Sequence, residues 1–197
     1  MSKKTLKAKL EGLLDEEEVK RAKCDHHAKR RPRPCGFTIH VGYGCPHACL
    51  YCYIDEMGFS FSRPKPYPLS GYGIAYALLS NRHFIPGRDG SLIAIGSVSE
   101  PFHPLLVKRT VEFLEAADRF LGNPTQFSTK QYIDEDLACW MASLKLPINP
   151  LITIVTVGKL GVLEPQAPPL DVRLKTIENL SNAGLKPMVF VRPIIPG

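Results

Sequence analysis

The sequence predicts an α/β fold in which parallel strands alternate with helices. Short segments rich in apolar and β-branched residues alternate with longer segments of helical periodicity along the chain. A strand–helix–strand order favours parallel pairing with right-handed crossovers. With 197 residues, of which 44% are hydrophobic, the chain is long enough for one sizeable core. Five such strands fit either an open sheet or part of a barrel.

The first predicted helix covers residues 5–22, with Leu6, Leu10, Leu13 and Leu14 along one side. Further helices are predicted over residues 71–82, 103–121, 134–144 and 170–183, the last one ended by Gly184. The predicted strands cover residues 37–41, 92–96, 125–129, 151–157 and 186–191. No covering helix follows the fifth strand, and an uncovered parallel edge exposes unpaired backbone groups. We therefore expect either a domain that is truncated after its fifth strand or a domain that another chain completes.

The charge is concentrated at the N-terminus. Of the formal net charge of +6, most lies in residues 1–34, which hold 11 Lys and Arg against 6 Asp and Glu. This distribution divides the chain into a basic leader containing a helix, residues 1–34, and a nearly neutral core, residues 35–197. The leader ends in the run KRRPRP, residues 29–34, which could contact the phosphates of a nucleic acid. The alternative is a solvated tail with no ligand.

Two classes of protein are excluded by the apolar pattern. No uninterrupted apolar stretch approaches the ~18–20 residues of a membrane-spanning helix. The N-terminus is too charged to hold the apolar segment of a signal peptide. We expect a cytoplasmic protein without membrane partners, whose six cysteines stay reduced unless they bind metal.

Three cysteines form the most specific motif. Cys45, Cys49 and Cys52 are spaced as C-x3-C-x2-C in a loop directly after the first predicted strand. Three thiolates can ligate a [4Fe–4S] cluster and leave one iron open to another ligand. The alternative is a structural zinc site formed by these cysteines with His47, or with a histidine of the segment CDHH, residues 24–27. Zinc sites usually use cysteine pairs, and a second pair is lacking here.

Five segments resemble the spore photoproduct lyase-like branch of the radical SAM superfamily. Residues 42–53, GYGCPHACLYCY, resemble the cluster loop of that branch. Residues 96–104 (GSVSEPFHP), 128–130 (STK), 164–168 (EPQAP) and 193–197 (PIIPG) resemble its later motifs, in the same order.

The resemblance implies a partial TIM-like (β/α) barrel of the radical SAM type, with six strands in the full family and five here. It implies that Cys45, Cys49 and Cys52 ligate the [4Fe–4S] cluster. It also implies a set of contacts to S-adenosylmethionine (SAM): Tyr51 near the adenine, Ser97 and Ser99 after the second strand, Lys130 at the carboxylate, and Thr153 or Thr156 at the ribose. Each has an ordinary alternative, since serines bond turns, lysines are solvated and threonines pack in strands.

The implied reaction is reductive cleavage of SAM to a 5′-deoxyadenosyl radical, which abstracts hydrogen from an unidentified substrate. It requires a reduced electron donor such as ferredoxin or flavodoxin, and no catalytic residue is assigned. One alternative is a lyase-like radical enzyme directed at nucleic acid through the basic leader. Another is a truncated, non-catalytic module that binds a cluster or zinc.

The chain departs from the branch at two places. Spore photoproduct lyases carry a hydrogen-donating cysteine near the end of the second strand, where this chain has Ile95-Gly96, so photoproduct repair is not expected. His40-Val41 also replaces an Asn-Pro pair that is common ahead of the cluster loop. The cysteines outside the motif are interpreted as a buried inert thiol, Cys139, and two free thiols, Cys24 and Cys35.

Overall fold

The fold is built on a five-stranded parallel sheet. The structure is a computed structural model that describes residues 2–34, 36–59 and 63–195. The sheet has the strand order β1-β4-β5-β6-β7 and consists of β1 (Phe37–Ile39), β4 (Ile93–Ile95), β5 (Thr125–Thr129), β6 (Ile148–Thr153) and β7 (Met188–Phe190). All four pairings are parallel, so the carboxyl ends of the five strands lie along one edge. Parallel α/β architecture was predicted from the alternation of elements and is confirmed.

Helices precede the first strand and lie in the connections between the strands. Their bounds are α1 (Lys3–Glu11), α2 (Glu16–Cys24), α3 (His26–Lys29), α4 (Gly71–Ser80), α5 (Val107–Ala116), α6 (Glu135–Ser143), α7 (Leu160–Leu163) and α8 (Leu170–Asn182). A π-helical segment, Ala117–Leu121, continues α5. Two short strands, β2 (Gly42–Tyr43) and β3 (Lys65–Pro66), form a separate antiparallel pair. Among the described residues, no helix combines the length and apolar character needed to cross a membrane.

The prediction of one helix over residues 5–22 is wrong, because the chain breaks between α1 and α2. Gly12 ends α1, and Asp15 begins α2 by accepting a hydrogen bond from the Glu18 amide at 2.6 Å. A carboxylate at this capping position satisfies an amide that has no partner inside the helix. The leucine periodicity continues across the break, which is why one helix was expected.

The leader helices belong to the hydrophobic core. Helices α1, α2 and α3 all contact α4, and Leu10, Ala22 and His27 are fully buried. Eight of the ten residues of α4 are buried, because the leader covers it on the side that α5 leaves free. Asn81, after α4, donates from its amide nitrogen to the carbonyls of His27 and Arg30 at 2.9 and 2.7 Å. In the run at residues 29–34, the side chains of Lys29, Arg31 and Arg33 are exposed.

Strand β6 begins three residues earlier than predicted. Its first half, from Ile148, pairs with β5 alone, and β7 pairs only with residues 151–153. Pro150 therefore lies where one side of the strand has no neighbour, which is a position at which a sheet tolerates proline. The chain leaves the sheet after Thr153 and not after Val157.

Candidate metal and cofactor site

The three motif cysteines lie on one loop at the carboxyl edge of the sheet. The loop follows β2 and turns through two residues with positive φ, Gly44 at 82° and Ala48 at 47°. Gly44 pairs with Ser99 in an isolated parallel bridge, which attaches the loop to the segment after β4. The Cys52 amide donates to the Cys49 carbonyl at 3.0 Å. These contacts hold all three cysteines over the strand ends.

The thiols of Cys45, Cys49 and Cys52 are free and border one cavity of about 90 Å³. Burial raises the pKa of the Cys45 thiol to about 12 and also raises that of Cys49. Without a cation the thiols of Cys45 and Cys49 stay protonated, and a bound metal supplies the positive charge that ionises a ligating thiol. The donor set therefore fits a thiolate-ligated metal centre.

The spacing of the donor atoms bears on the zinc alternative. Zinc holds four ligands in a tetrahedron at ~2.0–2.3 Å, which brings the ligand atoms to within about 4 Å of one another. In residues 2–34, 36–59 and 63–195, one group of three potential ligand atoms lies within 4.8 Å of one another, and it belongs to His26, His27 and His40. The three cysteine sulfurs do not meet this distance. His47 borders the thiol cavity, and burial lowers its pKa to about 4, so the ring is neutral. The wider spacing of the thiols suits a cluster of several metal atoms better than one zinc ion.

A second, larger cavity of about 360 Å³ adjoins the first. Both cavities are lined by Cys52, Gly96, Ser97, Ser128, Lys130 and Thr153. Of the other residues predicted to contact a cofactor, Ser99 borders only the thiol cavity and Tyr51 only the larger one. Thr156 lines neither. Except for Thr156, the tertiary structure thus brings the predicted set to one place, and the binding roles of these residues stay predictions.

Gly96, which lines both cavities, requires the absence of a side chain. Its φ is 98°, and a Cβ at this position would lie 2.6 Å from the Ser128 carbonyl oxygen. The Ser128 hydroxyl donates to the Gly96 carbonyl at 3.3 Å. A residue without a side chain is therefore required for β4 and β5 to approach each other here.

Glu164 is a site residue that was not assigned from the sequence. Its side chain is fully buried, and its Oε1 lies 3.8 Å from the Lys130 Nζ. The Tyr51 hydroxyl donates to the same carboxylate, and the Lys130 Nζ lies 5.8 Å from the centroid of the Tyr51 ring. Glu164 therefore positions both residues that were expected at SAM. No local pattern predicts this role, because Glu164 is 34 residues from Lys130 along the chain.

Arg173 connects this carboxylate to the end of β6. It pairs with Glu164 and donates from Nη1 to the Thr153 carbonyl at 2.9 Å and from Nε to the Pro168 carbonyl at 2.8 Å. Its side chain is 1% exposed, so the pair is shielded from solvent screening. The result is a rigid support beneath Lys130, Tyr51 and Thr153.

Glu100 connects the end of β4 to the end of β5. Its carboxylate accepts hydrogen bonds from the Lys130 amide at 2.9 Å, the Phe102 amide at 3.2 Å and the Thr129 hydroxyl. Burial raises the pKa of this carboxyl group, and the hydrogen bonds oppose that effect. Glu100 borders the thiol cavity, but its contacts are those of a structural residue.

Cys24 and Cys139 border neither of these cavities. Cys24 and Cys139 are both free and exposed. The prediction that Cys139 is buried is wrong, because α6 buries Ala138 and Met141 on its other face. Cys35 and the last two residues of the PIIPG segment lie outside the described residues.

Comparison with known proteins supports the fold. No protein-family model matches the chain. An uncharacterized protein, ORF301, of Acidianus two-tailed virus is 25% identical over 175 residues, which are 82% of this chain and 56% of that protein. The structure of spore photoproduct lyase complexed with dinucleoside spore photoproduct matches with a TM-score of 0.64 and 20% identity, over 93% of this chain and 56% of that one. A doubly substituted variant of that lyase with bound AdoMet and the same dinucleoside matches with a TM-score of 0.63 and 19% identity, over 92% and 56%.

The chain thus spans little more than half the length of the proteins it matches. The prediction of an α/β fold of the partial TIM-like barrel type is confirmed, with five parallel strands in the described residues. By its fold, the chain is similar to spore photoproduct lyase over almost all of its own length.

Proposed function

We propose that the chain is a radical SAM protein that binds a [4Fe–4S] cluster through Cys45, Cys49 and Cys52 and holds SAM beside it. The observation that carries this proposal is the position of the three thiols. They face one cavity at the carboxyl edge of a parallel sheet, and that cavity adjoins a second of about 360 Å³. Sites in barrels of this kind lie at the carboxyl ends of the strands. A spore photoproduct lyase variant of the same fold binds AdoMet.

A [4Fe–4S] cluster held by Cys45, Cys49 and Cys52 would supply the electron for reductive cleavage of SAM, the chemistry from which hydrogen abstraction from a substrate would follow. The chain holds the reactants and excludes water. Ile54, which is 2% exposed, and the neutral ring of His47 line the thiol cavity. They shield the thiolates from solvent.

The larger cavity offers complementary groups to SAM. The Lys130 ammonium provides a charge-assisted contact for the carboxylate. The Tyr51 ring lies next to it and can pack against the adenine. The hydroxyls of Ser97 and Thr153, which line both cavities, and of Ser99, which lines the adjoining thiol cavity, are available to the amino group and the ribose. Glu164 keeps Lys130 and Tyr51 in place, so the polar end of SAM meets a preformed site.

Nucleic acid is the second candidate substrate class. Arg33, at the end of the exposed basic run, lines the larger cavity together with Arg192. Cationic groups at a cavity that opens beside a basic segment favour a phosphate-bearing substrate. Binding to an oligonucleotide that weakens steeply with added salt, with a smaller slope for Arg31→Ser, would support this candidate. Affinity that does not change with salt would contradict it.

Anaerobic reconstitution with iron and sulfide tests the main proposal. Iron, sulfide, zinc and 5′-deoxyadenosine are measured after incubation with dithionite and SAM, for the parent chain, for Cys49→Ala and for Cys139→Ala. We expect four iron atoms per chain and 5′-deoxyadenosine release from the parent and from Cys139→Ala, the exposed-thiol control, but neither from Cys49→Ala. An intact cluster in Cys49→Ala would refute the ligand assignment. Zinc without iron in the parent would favour the non-catalytic zinc module.

Three further expectations stay predictions. They are a ferredoxin or flavodoxin as electron donor, a cytoplasmic location, and a second chain that completes the barrel. The third has one supporting observation, since strand β7 exposes about half of the Met188 and Val189 side chains, which such a chain would cover.

A further inference from the structure

Three histidines meet where the leader joins the sheet. His26 and His27 begin α3, and His40 follows β1 directly. One ring nitrogen of each lies within 4.8 Å of the other two. The ring centroids are 3.8 Å apart for His26 and His27, and 5.4 and 5.5 Å from these two to His40. This group is separate from the thiol cavity and plays no part in the function proposed above.

Hydrogen bonds orient two of the rings. The Asp25 Oδ1 lies 2.6 Å from the His27 Nδ1, and the Asp25 Oδ2 accepts from the Tyr67 hydroxyl at 2.6 Å. The same hydroxyl lies 3.0 Å from the His26 Nδ1. The Nδ1 atoms of His26 and His27 are therefore occupied, and Nε2 is the atom that each can offer to a metal. A carboxylate on the far nitrogen is the usual support of a metal-binding histidine.

The contacts of the His27 Nε2 and of the His40 ring are weak. The His40 amide donates to the His27 Nε2 at 3.2 Å, at the long end of the range for such bonds. A metal ion at that nitrogen would replace this bond. The His40 Nδ1 lies 3.5 Å from the Ser97 Oγ, which leaves its Nε2 free to coordinate.

One side of the group is open. His27 is fully buried, whereas His26 and His40 line an open cavity of about 410 Å³ together with Arg30 and Arg33. A buried ligand fixes the position of an ion, and an open side admits a ligand from solvent. Sites with three protein ligands and an open fourth position are typical of reactive metal ions, because structural zinc sites are closed.

We propose that His26, His27 and His40 bind one zinc-class divalent ion, whose fourth position is filled by water or a small anion from the cavity. Imidazole nitrogens suit zinc, copper and nickel, and neither magnesium nor calcium. Arg30 and Arg33 on the same cavity favour an anion at the open position. Since Arg33 also lines the cavity of about 360 Å³, the ion would lie close to the proposed SAM site.

The test uses the full chain with all six cysteines replaced by serine, so that no thiol takes part. Cobalt(II) is titrated as a spectroscopic substitute for zinc, and zinc affinity is measured by competition against it. We expect one ion per chain, a visible spectrum without thiolate charge-transfer bands, and a rise of Tm with zinc. We expect affinity at least about 100-fold weaker in His26→Ala, roughly 10- to 100-fold weaker in Asp25→Asn, and unchanged in the control His83→Ala.

Equal affinity in His26→Ala and its parent would overturn the proposal, as would the absence of stoichiometric binding. The His26 side chain is 40% exposed, so this variant is expected to fold, and circular dichroism checks it. If the cysteine-free chain does not fold, the unaltered chain gives the same decision anaerobically. In that case the imidazole-type cobalt spectrum must disappear in His26→Ala while thiolate bands remain.

Discussion

The backbone amide of Lys130 donates to the carboxylate of Glu100 at 2.9 Å. This bond joins the end of β5 to the segment after β4, directly beneath the thiol cavity. Lys130 is therefore held through its backbone by one buried carboxylate and through its side chain by another, Glu164. The cationic group proposed for SAM is positioned before any ligand arrives.

Removing the Glu100 carboxylate is expected to destabilise the strand ends. In Glu100→Ala, two amides and the Thr129 hydroxyl lose their acceptor, and unsatisfied buried groups cost about 1–3 kcal/mol each. We expect the free energy of unfolding to fall by about 3 kcal/mol, as measured by urea denaturation. Glu178→Ala, whose side chain is 56% exposed, is the control and should change it by less than about 1 kcal/mol.

Glu100 also predicts a pH dependence. Burial raises its pKa above the ordinary 4.5, so the folded state retains a proton that the unfolded chain has released. The contribution of this group to stability is complete below pH 4.5 and is lost as the pH rises through the folded-state pKa. Glu100→Gln should remove that decline from the curve of unfolding free energy against pH. An identical curve for parent and variant would show that Glu100 does not titrate in this range.

Lys130→Met should weaken SAM binding with little effect on stability. The variant loses the charge-assisted contact to the carboxylate, and we expect a Kd roughly 10- to 100-fold higher by calorimetry. Glu164 keeps its pair with Arg173, so unfolding should change little. Lys175→Met, at an exposed ion pair, is the matched control. Unchanged affinity for SAM in Lys130→Met would mean that Lys130 pairs with Glu164 but does not contact SAM.

Arg173 and Glu164 are expected to be energetically coupled. In Arg173→Met the fully buried Glu164 carboxylate loses the positive charge of Arg173, which lowers the free energy of unfolding by about 3–5 kcal/mol. Arg173→Met combined with Glu164→Gln should be less destabilised than the sum of the single changes, in a double-mutant cycle by denaturation. Lys23→Met, which breaks an exposed pair with Glu11, should stay below about 1 kcal/mol. Strict additivity would argue against the coupling.

Gly96→Ala should disturb both cavities. The added methyl group would meet the Ser128 carbonyl at 2.6 Å, on a backbone with positive φ. We expect a loss of about 2 kcal/mol or more in stability, together with weaker SAM binding. Gly161→Ala, in α7 with open space around it, is the control and should be neutral or stabilising by about 0.5–1 kcal/mol. Wild-type stability in Gly96→Ala would show that the strand ends can separate.

The leader should contribute to global stability. Leu10 is fully buried against α4, and Leu10→Ala is expected to cost about 2–5 kcal/mol in urea denaturation. Leu13, on the same predicted helix side, is 54% exposed, and Leu13→Ala should cost less than about 1 kcal/mol. Equal effects of the two changes would mean that the leader is detached from the core.

The strand–helix alternation and most element positions were predictable because they depend on local periodicity. Strand β5 has the predicted bounds, Thr125–Thr129. The start of β6 was misplaced because a proline such as Pro150 usually marks the end of a strand. Its position inside β6 is explained only by the tertiary structure, in which β7 pairs with residues 151–153 and leaves Pro150 without a neighbour on that side. The burial of Cys139 was predicted wrongly for a similar reason. Which face of α6 is covered depends on its neighbours and not on its own sequence.

The sequence by itself determined the cysteine loop and the order of the motifs that follow it. Such signals lie within a few residues of one another, so chain connectivity alone keeps them together. Only the tertiary structure decided that Glu164 and Arg173 support Lys130, that the leader covers α4, and that His40 joins His26 and His27. Residues from distant parts of the chain meet at the carboxyl edge of the sheet because parallel strands end there, and the leader meets α4 through helix packing. Burial then makes each charge or ring depend on partners that no local pattern specifies.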